Sequence, residues 1–445
     1  MIRFPFKQTI PLTLKESKKA EINSICSACC TSMGDVPFVD AAIIILYANM
    51  LGASEMFSMI TTSLSPMAIG LFSLLATMAV GKQKYQTSIL QATMVSLFLF
   101  GMIVLAPFFG KWAVAVLLIS LALFSICHTV YVAAWFPLLS SFLYPERRSN
   151  YFGRMRFSWQ LSSSLLLLLI GLAIGKNPPI GHLQIVMLIS LCIFAAKLYF
   201  IAMIPTFETR EEVKEKFSFR EGLKKAMANK PLTGFSVYSF ILNLAAYGTI
   251  PMVSLYMKKG LCAPDNVIVL ISSVALGGML TGSFFSGGLI QRYGVKLILL
   301  AVHITYALAN IALFLLGKGC MPDTWLYITI GAVLFAYSFM YACSDIASTC
   351  EMMLLATPGN KMVAMSFYNG FNHCGRGMSR MLTSLILGSG ALAAHWTLGG
   401  IEFSHYQTLF LTYAICVCFA ASLLVVVPAI FPEGDYHYDA LHTGK

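Results

Sequence analysis

Charge is scarce in this chain. Asp, Glu, Lys and Arg make up 11% of its 445 residues, while 58% are hydrophobic. A soluble domain carries roughly 25% charged residues, so a water-covered globule is excluded. No asparagine is followed by x-Ser or x-Thr. Without an N-glycosylation acceptor the chain fits a bacterial inner membrane better than a eukaryotic plasma membrane. The polar, basic start (Met1 to Asn23) is not followed closely by a signal-peptide core. No nucleophile elbow, H-E-x-x-H, P-loop or paired-carboxylate signature is present, which argues against a membrane-embedded enzyme. The twelve cysteines show no spacing of a disulfide framework or zinc site. In "CSACC" (Cys26, Cys29, Cys30) no His or carboxylate stands at ligand spacing, so small residues packing between helices is the better reading. Neither a metal nor a cofactor is expected. Cys262 and Cys320 both fall in predicted outer loops, where a disulfide is one option.

What the chain has is long apolar runs. About 20 apolar residues cross the roughly 30 Å hydrocarbon core, and irregular backbone is excluded from lipid because its polar groups go unpaired. The runs predict twelve spans: 25–50, 57–80, 87–108, 112–143, 157–175, 184–204, 232–257, 267–290, 297–316, 325–356, 368–392 and 408–431. The expected fold is an all-α polytopic membrane protein with twelve transmembrane helices in two pseudo-symmetric six-helix bundles. The polar stretch Pro205 to Lys230 divides residues 1–205 from 231–445. Within this central loop (206–230), Ser218 with Glu221 forms a capping-box pattern. Phe219, Leu223 and Met227 follow at i, i+4 spacing, predicting a short amphipathic helix that tethers the halves.

Basic residues choose one side. With the N-terminus in the cytoplasm, 22 of the 30 Lys and Arg fall in cytoplasmic segments and 5 in outer loops. This split places both termini inside. It also accounts for the net charge of +11 without a nucleic-acid partner. Arg147, Arg148, Arg154 and Arg156 gather in the loop between spans four and five.

The halves repeat. In both, a long span ends at Pro (Pro145, Pro358), followed by a basic loop and a polar start to the next span. "FFGK" (Phe108 to Lys111) and "LLGK" (Leu315 to Lys318) precede the fourth helix of each half. Gly287 to Lys296, "GGLIQRYGVK", resembles the loop motif G-x-L-x-D-R-x-G-x-[RK] of the major facilitator superfamily. Gly287, Leu289, Arg292, Gly294 and Lys296 match, while Gln291 replaces the acidic residue. "PERRSNYFGRMR" resembles that family's loop between spans four and five. The resemblance implies alternating access by two rocking bundles about a site near the bilayer midplane. It makes Arg147, Arg148, Arg154, Gly287, Arg292, Gly294 and Lys296 candidates for a cytoplasmic gate.

Ionisable groups inside spans are costly, so they are functional candidates. Asp35 and Asp40 lie in span one, separated by Pro37, which predicts a kink. Asp345 lies in span ten; Arg376 and Arg380 lie one turn apart in span eleven. Depth estimates make an Asp345–Arg376 or Asp345–Arg380 pair feasible. His128, Gln160, Asn243, Tyr247 and His373 complete the substrate or proton candidates. Tyr131, Trp135 and Asn372 also stand on expected cavity helices. His303 reads as structural, Glu351 as pairing with loop arginines, and Lys197 as snorkelling to the interface. The expected function is that of a monomeric, proton-coupled secondary transporter of a small polar or anionic solute in the cell (inner or plasma) membrane. The alternatives are a multidrug or lipophilic-cation exporter and, more remotely, a non-transporting solute sensor.

Overall fold

The computed structural model describes residues 13–39, 41–80, 84–140, 142–143, 148–205, 219–355, 361–398, 401–427 and 430. Fourteen α-helices dominate: α1 (Leu14–Val39), α2 (Ala42–Met50), α3 (Glu55–Val80), α4 (Tyr85–Leu105), α5 (Ala113–Ser140), α6 (Arg148–Ala173), α7 (Ile180–Ala202), α8 (Phe219–Ala228), α9 (Lys230–Ala246), α10 (Thr249–Leu255), α11 (Asp265–Leu315), α12 (Asp323–Leu355), α13 (Lys361–Ser389) and α14 (His405–Val426).

Eight helical segments among the described residues are long and apolar enough to cross a membrane, nine if α1 and α2 form one bent span. Two of the eight, 85–135 and 265–315, contain 51 residues each. At about 1.5 Å per residue such a segment is roughly 75 Å long, enough to cross about 30 Å of hydrocarbon twice. Each is broken by one glycine outside helical geometry, Gly110 (φ 53°) and Gly294 (φ 77°). With α13, whose Arg376 and Arg380 dilute its apolar character, the passages number twelve. Large apolar side chains cover the outside: Phe98, Phe284 and Trp112 are each about 70% exposed, as lipid-facing residues should be.

The expected loop between spans eight and nine shrinks to a single residue. Helix α11 runs on both sides of Gly294, whose positive φ is open to glycine and strained for other residues. That is a conformational reason for the motif's second matched glycine. Span one starts earlier than its apolar run: Thr13 and Glu16 cap α1 reciprocally, Glu16 Oε2 accepting from Thr13 N at 2.9 Å. Pro37 stays inside α1. The helix is interrupted after Val39, and Ala41 has φ 68°. One element is absent from the sequence reading: a hairpin of β1 (His395–Leu398) and β2 (Ile401–Ser404), paired antiparallel with His395 opposite Ser404, between α13 and α14.

The seam between the halves is built twice. Helix α3 packs along α13, and α6 along α11, so the second passage of each half meets the fifth passage of the other. This exchange is the pseudo-twofold relation that the repeat predicts. Small residues set the distances. A Cβ at Gly70 would collide with Cys374, and one at Gly377 with Met67. Inside the second half, Gly278 and Gly282 let α11 approach α12 so closely that an added Cβ would strike the carbonyl oxygens of Phe335 and Phe339. This is the small-xxx-small solution to helix packing in lipid. Helix α8 packs on α9 and α13 through partly buried Leu223 and buried Ala226. Met227, expected on that face, is 60% exposed. Ser218 lies outside the described residues.

Gly277 and Gly278 give a neighbouring-residue test, because nothing lies within 4 Å of a Cβ at Gly277. Gly278→Ala should lower stability in detergent by about 1–3 kcal/mol, since a backbone carbonyl cannot step aside. Gly277→Ala should be neutral or stabilising by up to about 1 kcal/mol. Thermal unfolding of the two purified variants checks this; equal melting temperatures would refute the close-approach account.

Candidate functional site

Two buried polar clusters face the space between the halves. The first belongs to the N-terminal half. Asp35 on α1 is 6% exposed, and its Oδ2 lies 3.7 Å from His128 Nδ1 on α5. Asp35 Oδ1 and His128 Nδ1 have no hydrogen-bond partner among the described residues. Helix α5 carries a ring ladder at helical spacing: Phe124, His128, Tyr131 and Trp135, with successive centroids 6.1, 5.5 and 5.3 Å apart. On α7, Lys197 is 1% exposed. Its ammonium sits 3.4 Å from the Tyr131 ring centroid and 4.7 Å from that of Phe194, a cation–π arrangement. Asp35 is its acidic neighbour.

This corrects the snorkelling reading of Lys197. The residue stands five positions before the end of α7, within reach of the interface, but its face of the helix turns inward onto Tyr131. The sequence signal was the lysine itself, an ionisable group inside a span. Gln160 on α6, with Ser32, Ser163, Trp159 and the α11 residues Leu276 and Met279, joins Asp35, His128, Tyr131 and Trp135 around a cavity of about 330 Å³. That volume lies at the small end of ligand-binding cavities.

The second cluster belongs to the C-terminal half. Arg376 on α13 donates from Nη2 to Asp345 Oδ1 on α12 at 2.6 Å, and from Nε to Asn243 Oδ1 on α9 at 3.2 Å. Its guanidinium carbon lies 5.1 Å from the Tyr247 ring centroid and 5.3 Å from that of Tyr341. The expected Asp345–Arg376 pair is thus present. Arg380 takes a different partner: its Nη1 donates to the Thr62 carbonyl on α3 at 2.6 Å, and it lies over Tyr247 at 4.4 Å. It therefore bridges the two halves. Asn372 donates to Ser239 Oγ at 2.9 Å and to the Tyr368 hydroxyl at 3.1 Å. His373 is partly buried, and its Nδ1 has no hydrogen-bond partner among the described residues. The space inside this cluster is only about 10 Å³, room for about one water. Asp345 nonetheless keeps 44% of its side chain exposed, against 10% for Arg376.

The remaining candidates fall away from these clusters. Asp40 and Arg147 lie outside the described residues, and Arg148 opens α6. Arg154, Gly287, Arg292, Gly294 and Lys296 are exposed at the end of the helices opposite the hairpin. His303 is structural, as expected: its Nδ1 lies 2.6 Å from the Leu299 carbonyl and its Nε2 3.4 Å from the Tyr238 hydroxyl. Glu351 is 3% exposed. Cys262 and Cys320 are free thiols.

The two ends of the molecule differ. At the hairpin end, Glu55 at the start of α3 accepts from the Tyr406 hydroxyl at 2.5 Å and lies 3.4 Å from His405 Nε2, both on α14. There too Asp265 N donates to the Lys176 carbonyl at 2.9 Å, and Gly171 of α6 abuts Leu270 of α11. At the other end α6 and α11 flank a groove of about 360 Å³ lined by Arg154, Arg156, Phe157 and Phe284. The hairpin end is joined across the halves; the opposite end of the α6–α11 seam is splayed.

Twelve apolar passages in two related halves, with charged clusters facing a shared space, define a membrane transport protein. The chain belongs to the Major Facilitator Superfamily, whose family model matches residues 24–379. No curated protein matches it by sequence. Among solved structures it is similar in fold to the nucleoside transporter NupG (TM-score 0.63, 13% identity, covering 95% of this chain and 100% of that one). It is likewise similar to a bacterial homologue of the iron transporter ferroportin in an inward-facing state (0.63, 12%, 93% and 99%). A third is a POT family transporter in complex with 5-aminolevulinic acid (0.65, 13%, 94% and 97%).

The unequal burial of Asp345 and Arg376 makes a prediction. Asp345→Ala strands a buried guanidinium, and breaking a buried pair costs up to about 3–5 kcal/mol. Asp345→Ala/Arg376→Met removes the charge with its partner and refills the space. The double variant should melt higher than the single one in detergent. A double variant that melts lower would show that the pair's charges do not govern stability here.

Proposed function

We propose that the protein is a monomeric, proton-coupled secondary transporter of a small polar or anionic solute, working by alternating access. The observation that carries this reading is the Asp345–Arg376 pair. Its guanidinium is held by Asp345 and Asn243 and flanked by Tyr247 and Tyr341, yet its carboxylate stays accessible. A group that must exchange a proton or a solute needs such access, and a purely structural pair gains nothing from it. Residues 1–205 and 231–445 rock against each other, and 206–230 tethers them. The basic loops lie on the cytoplasmic side with both termini. Glu55, His405 and Tyr406 then close the outer side, and the splayed α6–α11 seam opens inward. Arg154, Arg292 and Lys296 are exposed in this conformation, consistent with a gate whose contacts form when that side closes.

The exporter reading has one observation in its favour: the N-terminal cavity is walled mostly by apolar and aromatic side chains around an acid, Asp35. Buried Lys197 weighs against it, because it offsets that acid with a cation of the protein's own. The similar solved structures are a nucleoside transporter, a homologue of an iron transporter and a POT family transporter with 5-aminolevulinic acid, so the shared fold does not select a solute class.

In proteoliposomes with an imposed pH gradient and an entrapped pH dye, solutes from a panel of sugars, amino acids, organic anions and nucleosides should include one that speeds collapse of the gradient. Asp345→Asn and Arg376→Ala should each slow that flux at least tenfold. If both variants match the wild type in rate and pH dependence, the assignment of this pair is wrong.

A further inference from the structure

The cavity of the N-terminal half has chemistry that the Asp345–Arg376 pair does not use. Its walls are rings: Tyr131 and Trp135 from the α5 ladder and Trp159 from α6. Ala28, Val36, Val132, Leu276 and Met279 fill the gaps between them. Its polar groups are few. Asp35 and His128 both line it, and Asp35 Oδ1 and His128 Nδ1 are buried with no hydrogen-bond partner among the described residues. Gln160 adds an amide, which both donates and accepts. Ser32 and Ser163 are hydrogen-bonded to each other. Asp35 Oδ1 and His128 Nδ1 are sealed from the cavity, but the Asp35 and His128 side chains keep 9% and 15% of their surface exposed and line it, so they mark where a ligand's polar edge belongs.

Charge narrows the choice. Asp35 alone would favour a cation, and aromatic walls would reinforce that preference. The protein already supplies that cation: the Lys197 ammonium lies 3.4 Å from the centroid of the Tyr131 ring, with Asp35 as its acidic neighbour. Asp35 and Lys197 together leave the cavity formally balanced, so a charged ligand would arrive without a counter-charge. A sugar would bring a ring of hydroxyls to walls that are mostly apolar and aromatic. A flat, uncharged ring system with alternating donors and acceptors along one edge meets both demands. Its faces pack on Tyr131, Trp135 and Trp159, and its edge meets Asp35, His128 and Gln160. We infer that this cavity is the solute site and that it takes an uncharged planar heteroaromatic compound of nucleobase or nucleoside type. The inference rests on the carrier reading above and adds the solute class to it.

The test uses the full-length protein in detergent, with two readouts for each of five probes: uridine, adenosine, glucose, benzoate and tryptamine. Melting temperature rises when a ligand binds the folded state. Tryptophan emission comes from five residues, of which Trp135 and Trp159 line the cavity, so the ligand-induced change is read against Trp135→Phe and Trp159→Phe variants. Uridine or adenosine should raise the melting temperature and change the emission, with no response to the other three. Gln160→Ala and Asp35→Asn should each weaken that response at least tenfold. Gln160 is only partly buried, so its variant keeps the test open if Asp35→Asn misfolds. A response to tryptamine alone would show that Lys197 does not balance Asp35, and would overturn the inference in favour of cations. A response only to benzoate or glucose, or to no probe, overturns it as well. So does nucleoside binding that both variants leave intact, because the site is then elsewhere. Failure here with Arg376-dependent, pH-driven flux of another solute would leave the carrier reading standing and remove only the solute class.

Discussion

Hydrocarbon offers no hydrogen bonds, and every other feature of this protein follows from that constraint. Each backbone group must be satisfied within its own helix, which fixes an almost wholly helical chain. Each buried charge must find a partner inside the protein. Arg376 has Asp345 and Asn243, Arg380 has the Thr62 carbonyl, and Lys197 has the Tyr131 ring with Asp35 as its acidic neighbour. Asp35 with Lys197, and Asp345 with Arg376 and Arg380, are therefore gathered at two places, and those places are the candidate sites. Stability and function draw on the same few residues.

Association of the helices needs a different source of stability, because lipid is as apolar as leucine. Close approach supplies it, at Gly70, Gly377, Gly278 and Gly282. The first two lie on the α3–α13 seam and the last two within the second half. The α3–α13 seam is in contact from Met56 and Gly388 at the hairpin end to Gly70 and Cys374 near the middle. The α6–α11 seam touches at Gly171 but parts at Arg156 and Phe284. One seam keeps close contact from the hairpin end to the middle while the other parts at one end, an arrangement that would favour rocking over separation of the halves.

Much of this was legible in the sequence, because its signals are long. Apolar runs of 20 residues and the repeat of Pro145 and Pro358 define spans and halves without knowledge of packing. Depth alone brought Asp345 to Arg376 or Arg380, and packing chose Arg376. Rotation about the helix axis was not legible. Uniformly apolar helices such as α5 and α7 carry no stripe to say which face turns inward, so Lys197 could be placed on the wrong face while Tyr131, only one ring away, was placed correctly. Arg380 shows the same limit: spacing puts it on the face of Arg376, but only packing shows that Thr62 of the other half claims it. The hairpin did leave a signal, "HWTLGGIEFS", with apolar and polar residues alternating about Gly-Gly. It was lost because a span-length reading treats short loops as empty.

The two halves solve the buried-charge problem in opposite ways. In the C-terminal half acid and base touch, and almost no space remains between their neighbours. In the N-terminal half acid and base make no direct contact: Lys197 sits on the Tyr131 ring, and Asp35 lines a cavity of about 330 Å³. A direct ion pair resists intrusion, because a ligand must replace a full charge-assisted hydrogen bond. An offset pair is already balanced at long range but leaves short-range hydrogen bonds unmade. An uncharged ligand can therefore fill those bonds without stranding a charge when it leaves. The offset arrangement is the one suited to reversible occupancy by a solute, and the direct pair, whose carboxylate keeps 44% of its side chain exposed, is the one suited to exchanging a proton.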